Sequence, residues 1–148
     1  MDRNYNLNEI ALMTGFSTRT LRNYLNQGLL KGEKVDGACQ FTSEELDRFF
    51  AEPFVREGLR IKRNGIVFDF LADRSKNTKK TCVILDIPVS LKESKTLSAF
   101  FCHQMESVSD TVFTFDWSDG SARIILSGAE ESVAKIMQAY HGMPSDNE

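Results

Sequence analysis

The spacing of three residues constrains this 148-residue chain more than anything else in it: Ala11, then Gly15 four residues on, then Leu21 six beyond that. Residues 8–14 hold four consecutive apolar side chains, Ile10 to Met13, and Gly15 breaks the run. Ser17 then offers a hydroxyl to the free N–H groups of a new helix. Along that helix Leu21, Tyr24 and Leu25 recur at i, i+3 and i+4, one face of a helical cylinder. Gly28 ends it in a position that suits a left-handed backbone. Two short helices joined by a glycine-containing turn form a helix-turn-helix. A small residue at the crossing and a leucine on the buried face let the pair approach closely.

This packing leaves Thr18, Arg19, Arg22 and Asn23 on the outer side of the second helix, at its N-terminal end. A guanidinium there can hold a phosphate, or read the O6/N7 edge of guanine with two hydrogen bonds. The plainer alternative is a solvated helix face. The turn signal Val35-Asp36-Gly37 follows, leading into residues 38–41, and predicts a short hairpin, the wing of a winged helix-turn-helix. Thr42 and Glu45 then spell a capping box, opening a helix with Leu46, Phe49 and Phe50 on one face.

The run Tyr5-Asn6-Leu7-Asn8-Glu9-Ile10-Ala11, Thr14-Gly15-Phe16-Ser17-Thr18-Arg19-Thr20-Leu21-Arg22-Asn23-Tyr24, Gly28-Leu29-Leu30, and then Gly37 with Phe41-Thr42-Ser43-Glu44-Glu45-Leu46, resembles the DNA-binding domain of the MerR family. The resemblance covers about a third of the chain. It implies a dimeric bacterial transcription regulator, with the second helix in the major groove of double-stranded DNA and the wing on the backbone. It carries Arg19, Arg22 and Tyr24 over as DNA contacts. Ser17, Thr18 and Asn23 stand beside them, and Lys31 and Lys34 flank them on the wing.

Charge at first argues the other way. The chain has a formal net charge of −3 and a pI of about 5.5, which taken whole disfavours nucleic acid as a partner. The balance is uneven, however. Residues 1–80 carry 14 basic and 11 acidic side chains, while residues 81–148 carry 4 and 10. The acidity belongs to the C-terminal part, an asymmetry that predicts two modules with different work.

Between them, Pro53 either closes the third helix or opens a fourth at its first turn. Val55, Leu59, Ile66, Val67, Phe70 and Leu71 keep helical spacing, with Arg56, Arg60, Lys62 and Arg63 on the other sides. Gly65 and the lack of sustained heptads argue against a long coiled coil. A helix packed between the modules, or a compact dimer helix, is expected instead. The Arg60-Lys62-Arg63 cluster is either an exposed helix face or a phosphate contact. The tract 74–80 has almost no apolar content and reads as a solvated connector.

Residues 81–87 (TCVILDI) form a β-branched run ended by Pro88, a buried strand. Ser90 and Glu93 make a second capping box, before a helix with Leu97, Phe100, Phe101, Met105 and Val108 on one stripe. Residues 111–117 alternate, with Phe113, Phe115 and Trp117 on one side. Asp119-Gly120 turns the chain, and Ala122, Ile124 and Leu126 alternate on the return. Val133, Ile136, Met137 and Tyr140 mark a last helix ended by Gly142. The order β-α-β-β-α predicts a three-stranded antiparallel sheet with two helices on one face, a partial ferredoxin-like unit with an edge left over for a second subunit or some other cover.

Chemistry is thin here. His103 and His141 stand at no metal-ligand spacing, and no glycine loop cradles a phosphate. Cys39, Cys82 and Cys102 contain no CxxC pair, and their odd number argues against a disulfide framework; Cys82 and Cys102 are packing residues, or else a thiol sensor. Phe113, Phe115 and Trp117 are core, or the lining of an apolar pocket where the helices leave that face open. No enzyme, metal or cofactor is expected. No apolar run approaches a membrane span, and the polar start predicts a cytoplasmic protein.

The fold expected is therefore α+β: a winged helix-turn-helix DNA-binding domain over residues 1–52, a connecting helix and linker over 53–80, and a dimerisation or effector-sensing domain over 81–148. The function expected is sequence-specific regulation by a homodimer, with a small-molecule effector of unknown identity as a candidate partner. The rivals are an excisionase-like or architectural DNA-binding protein, a protein-interaction module, and a small-molecule-binding module that controls something other than transcription.

Overall fold

The computed structural model describes residues 4–74, 77–118 and 120–144. Ser75 and Lys76 of the connector tract, and Asp119 of the second turn, lie outside the described residues. The described residues form six helices and two three-stranded antiparallel sheets.

Local capping explains where the chain changes direction. Helix α1 (Leu7–Thr14) starts at Asn6, whose side chain accepts from the Glu9 N–H at 2.8 Å while the Glu9 carboxylate accepts from the Asn6 N–H at 3.2 Å. Its last residue, Thr14, is fully buried; its hydroxyl donates to the Ile10 carbonyl at 2.7 Å and accepts from the Phe16 N–H at 3.1 Å. Gly15 follows at φ +75°, a backbone that only glycine adopts without strain, and reverses the chain into α2 (Thr18–Asn26). Strands β2 (Glu33–Val35) and β3 (Ala38–Phe41) meet through Asp36 and Gly37, both at positive φ, the geometry that matches the twist of a tight hairpin.

A third strand escaped the sequence reading. The two-residue β1 (Tyr5–Asn6) pairs with β3, Tyr5 opposite Phe41, and closes the small sheet in the order β1-β3-β2. Helix α3 (Ser43–Ala51) is capped by Thr42, whose hydroxyl accepts from the Glu45 N–H, while the Glu45 carboxylate turns to Arg48. Pro53 opens α4 (Pro53–Ala72) in its first turn. Ile10, Leu21, Phe41, Phe49 and Val55 are sealed beneath these elements.

The C-terminal elements run β4 (Lys80–Pro88), α5 (Leu91–Met105), β5 (Thr111–Ser118), β6 (Ser121–Ala129) and α6 (Glu130–His141). The sheet order is β4-β6-β5, so the hairpin partner β6 sits in the middle. Register places Phe113, Leu126 and Val83 in one row and Phe115, Ile124 and Leu85 in the next, all on one face of the sheet. Helices α5 and α6 cover that face: the fully buried Phe101 ring stacks on Phe113 at 5.9 Å and on Tyr140 at 5.7 Å.

The two sets of elements are packed together. Helix α1 lies along β5, the outer strand of the larger sheet, and α4 reaches β6. Four polar contacts cross the seam among the described residues: Tyr5 Oη to Ser98 Oγ at 3.1 Å and buried, Arg63 to Asp116 at 2.7 Å, Lys95 to Asp47 at 3.7 Å, and Arg56 to the Ser118 hydroxyl at 3.4 Å. Strand β4, by contrast, has no partner strand on its outer edge among the described residues.

Candidate nucleic-acid interface

Helix α2 is built to show one side and hide the other. Ser17 caps it, accepting from the Thr20 N–H at 3.1 Å, with its hydroxyl also 3.0 Å from that of Thr20. Leu21 is fully buried, and Tyr24 is 8 % exposed. Arg19, Arg22 and Asn23, at i, i+3 and i+4, form the exposed outer row, with Thr18 half-buried beside them. Removing the Ser17 hydroxyl (Ser17→Ala) is expected to cost about 1 kcal/mol, seen as a lower urea midpoint with an unchanged slope.

Tyr24, which the resemblance names as a DNA contact, turns its ring inward and packs it against Phe16 at 5.6 Å, Phe49 at 5.7 Å and Phe54 at 6.1 Å. Burial pushes its phenol above the ordinary tyrosine range. Its position follows the i, i+3, i+4 stripe with Leu21 and Leu25.

Lys31 precedes the hairpin and Lys34 lies on β2 opposite Cys39; both are exposed. Charge pairing separates these side chains from four other arginines. Among the described residues none of Arg19, Arg22, Lys31 and Lys34 makes an ion pair, whereas Arg48, Arg60, Arg63 and Arg123 pair with Glu45, Glu57, Asp116 and Asp86. Two members of the basic cluster on α4 are thus engaged within the chain. The row on α2 keeps its positive charge open to solvent.

The remaining candidates for chemistry are structural in their surroundings. Burial pushes the Cys82 thiol up, away from the reactive thiolate form, and Cys102 is 2 % exposed. His103 stands 3.3 Å from Glu106 on an exposed helix end. Among the described residues no three His, Cys, Asp or Glu side chains gather where a metal could sit, and no helix is long and apolar enough to cross a membrane.

The sequence reading missed β1 and the Asn6 cap, although Asn6 with Glu9 three residues on spells that cap in the sequence. No curated protein and no solved structure matches the chain. Residues 5–51 do match one family, described as MerR HTH family regulatory protein. The stretch matched contains both helices, the hairpin and the unpaired basic row, so over residues 5–51 the chain is similar to the helix-turn-helix of that family.

Proposed function

We propose that this chain is a sequence-specific, DNA-binding transcription regulator that works as a homodimer. The observation that carries this is the open positive row of Arg19 and Arg22 on a second helix similar to that of MerR regulators, while Arg60, Arg63 and Arg123 are each closed by a carboxylate. In this proposal α2 enters the major groove, where Arg19 and Arg22 read base edges and Thr18, Asn23 and the Ser17 end of the helix lie against them. The β2–β3 hairpin acts as the wing, with Lys31 and Lys34 on phosphates. Tyr24 serves from beneath, its ring fixing the angle of the helix.

Dimerisation is supported by α4. Phe54, Ile61 and Phe68 recur every seven residues along it and are 61–69 % exposed, as is Leu71. A run of large apolar side chains left in water on a 20-residue helix fits an antiparallel pairing with a second copy. Residues 1–52 are proposed as the DNA-binding domain, 53–80 as the connecting and dimer segment, and 81–148 as a partial ferredoxin-like domain that senses an effector or adds to the dimer.

Selection of genomic DNA fragments with the purified full chain tests this. The expected result is a palindromic consensus, a dimer mass by sedimentation, and affinity that falls steeply with salt as phosphate counterions are released. Unenriched DNA with a flat salt response would refute it.

A further inference from the structure

The seam between the helix-turn-helix and the larger sheet encloses a cleft of about 340 Å³, within the size range of small-molecule sites. Its wall comes from both sides. Leu46, Asp47 and Phe50 on α3 and Arg56 at the start of α4 face Lys95 on α5, with Phe115 and Trp117 on β5.

The polar groups of this wall differ in how far they are committed. The Trp117 indole N–H donates to the Val89 carbonyl at 3.2 Å, so the ring has no donor left to offer the cleft. Lys95 is matched by Asp47 across the seam. Asp116, also in the wall, is taken from behind by Arg63 at 2.7 Å. Arg56 alone holds a full charge with only a long hydrogen bond, 3.4 Å to the Ser118 hydroxyl. The four charged side chains of the wall cancel, but counting Arg63 behind Asp116 leaves one positive charge, and it resides on Arg56.

We propose that this cleft binds a small monoanionic ligand with an aryl or comparably apolar body: its carboxylate takes the fork of Arg56, and its ring lies among Phe50, Phe115 and Trp117. A guanidinium prefers two carboxylate oxygens to one distant hydroxyl, and a charge-assisted pair is roughly twice as strong as a neutral hydrogen bond. The apolar rings supply the area that a free anion lacks. A ligand so placed touches α3 and α4 on one side and α5 and β5 on the other, and so joins the reading helix-turn-helix to the sheet. The effector role of this ligand rests on the regulator proposed above; the binding site itself does not.

The chain contains a single tryptophan, Trp117, so its emission reports this cleft alone. Titrating the full chain with 3-phenylpropanoate, 3-phenylpropanamide and 3-phenylpropylamine varies charge on one shape. The expected result is a saturable emission change with the anion at least tenfold tighter than with the amide, and no saturation with the amine. Arg56→Gln should cut the anion's affinity at least tenfold and leave the amide within twofold; Arg56→Lys should keep part of the preference. Arg56 is an exposed side chain, and a matched thermal melt confirms that each variant is folded. Absence of a saturable response to the anion, equal affinity for anion and amide, or an unchanged affinity in Arg56→Gln each overturns the proposal. DNA affinity, measured separately on the same preparations without ligand, decides the regulator proposal independently.

Discussion

Replacing Arg19 and Arg22 together by alanine is expected to reduce affinity for the selected DNA site by between about thirtyfold and about twenty-thousandfold, from a loss of ~1–3 kcal/mol for each base-reading arginine. Stability should barely move. Both side chains are exposed and unpaired, and substitutions at such positions usually stay within about 0.5 kcal/mol. The pairing pattern also supplies the control: Arg60→Ala removes a cation already bonded to Glu57 at 2.6 Å, and should leave DNA affinity within a few-fold. Competition mobility shifts at matched salt, against the selected site and a scrambled one, separate base reading from phosphate attraction. A double variant that binds the selected site as tightly as the parent would remove Arg19 and Arg22 from the interface.

Phe101→Ala is expected to be the most damaging single truncation in the C-terminal elements. The ring is fully buried and stacks on both Phe113 and Tyr140, so it joins α5, β5 and α6 in one contact. Removing it leaves a cavity that three elements would have to collapse into, at a cost of ~3–5 kcal/mol. For a chain of this length that corresponds to a fall in Tm on the order of 10 °C. Urea denaturation followed by far-UV circular dichroism measures it; a loss below about 1 kcal/mol would mean that Phe101 is not at the centre of this core.

Much of the local architecture could be read from the chain because its signals act over three or four residues. Ser17, Gly15 and Gly28 bound α2, and Leu21 fixes its inner face; Asp36-Gly37 sets the hairpin; Ser90 starts α5. Alternation in residues 111–117 predicted the face that meets Phe101. What stayed hidden depends on distance along the chain. Two residues are too few for β1 to show a period, and its partner β3 lies more than thirty residues away. The same holds for the candidate DNA row. Its residue types and helical face were visible, but its open charge becomes apparent only once Asp116 is found beside Arg63 and Glu57 beside Arg60. The inward turn of the Tyr24 ring follows its periodicity with Leu21, and three aromatic neighbours from other elements decide where it goes.

Helix α1 has two neighbours of different kinds. Toward α2 it is one half of the helix-turn-helix; toward the larger sheet it lies along β5, an outer strand whose backbone would otherwise be open to any passing chain. A fragment beginning at residue 80 would keep the sheet but lose this cover, and strand addition between molecules would follow. A fragment ending at residue 52 would lose the floor against which its first helix rests. The helix-turn-helix and its sheet are therefore one heritable unit, and grafting this head onto another body means carrying β5 with it.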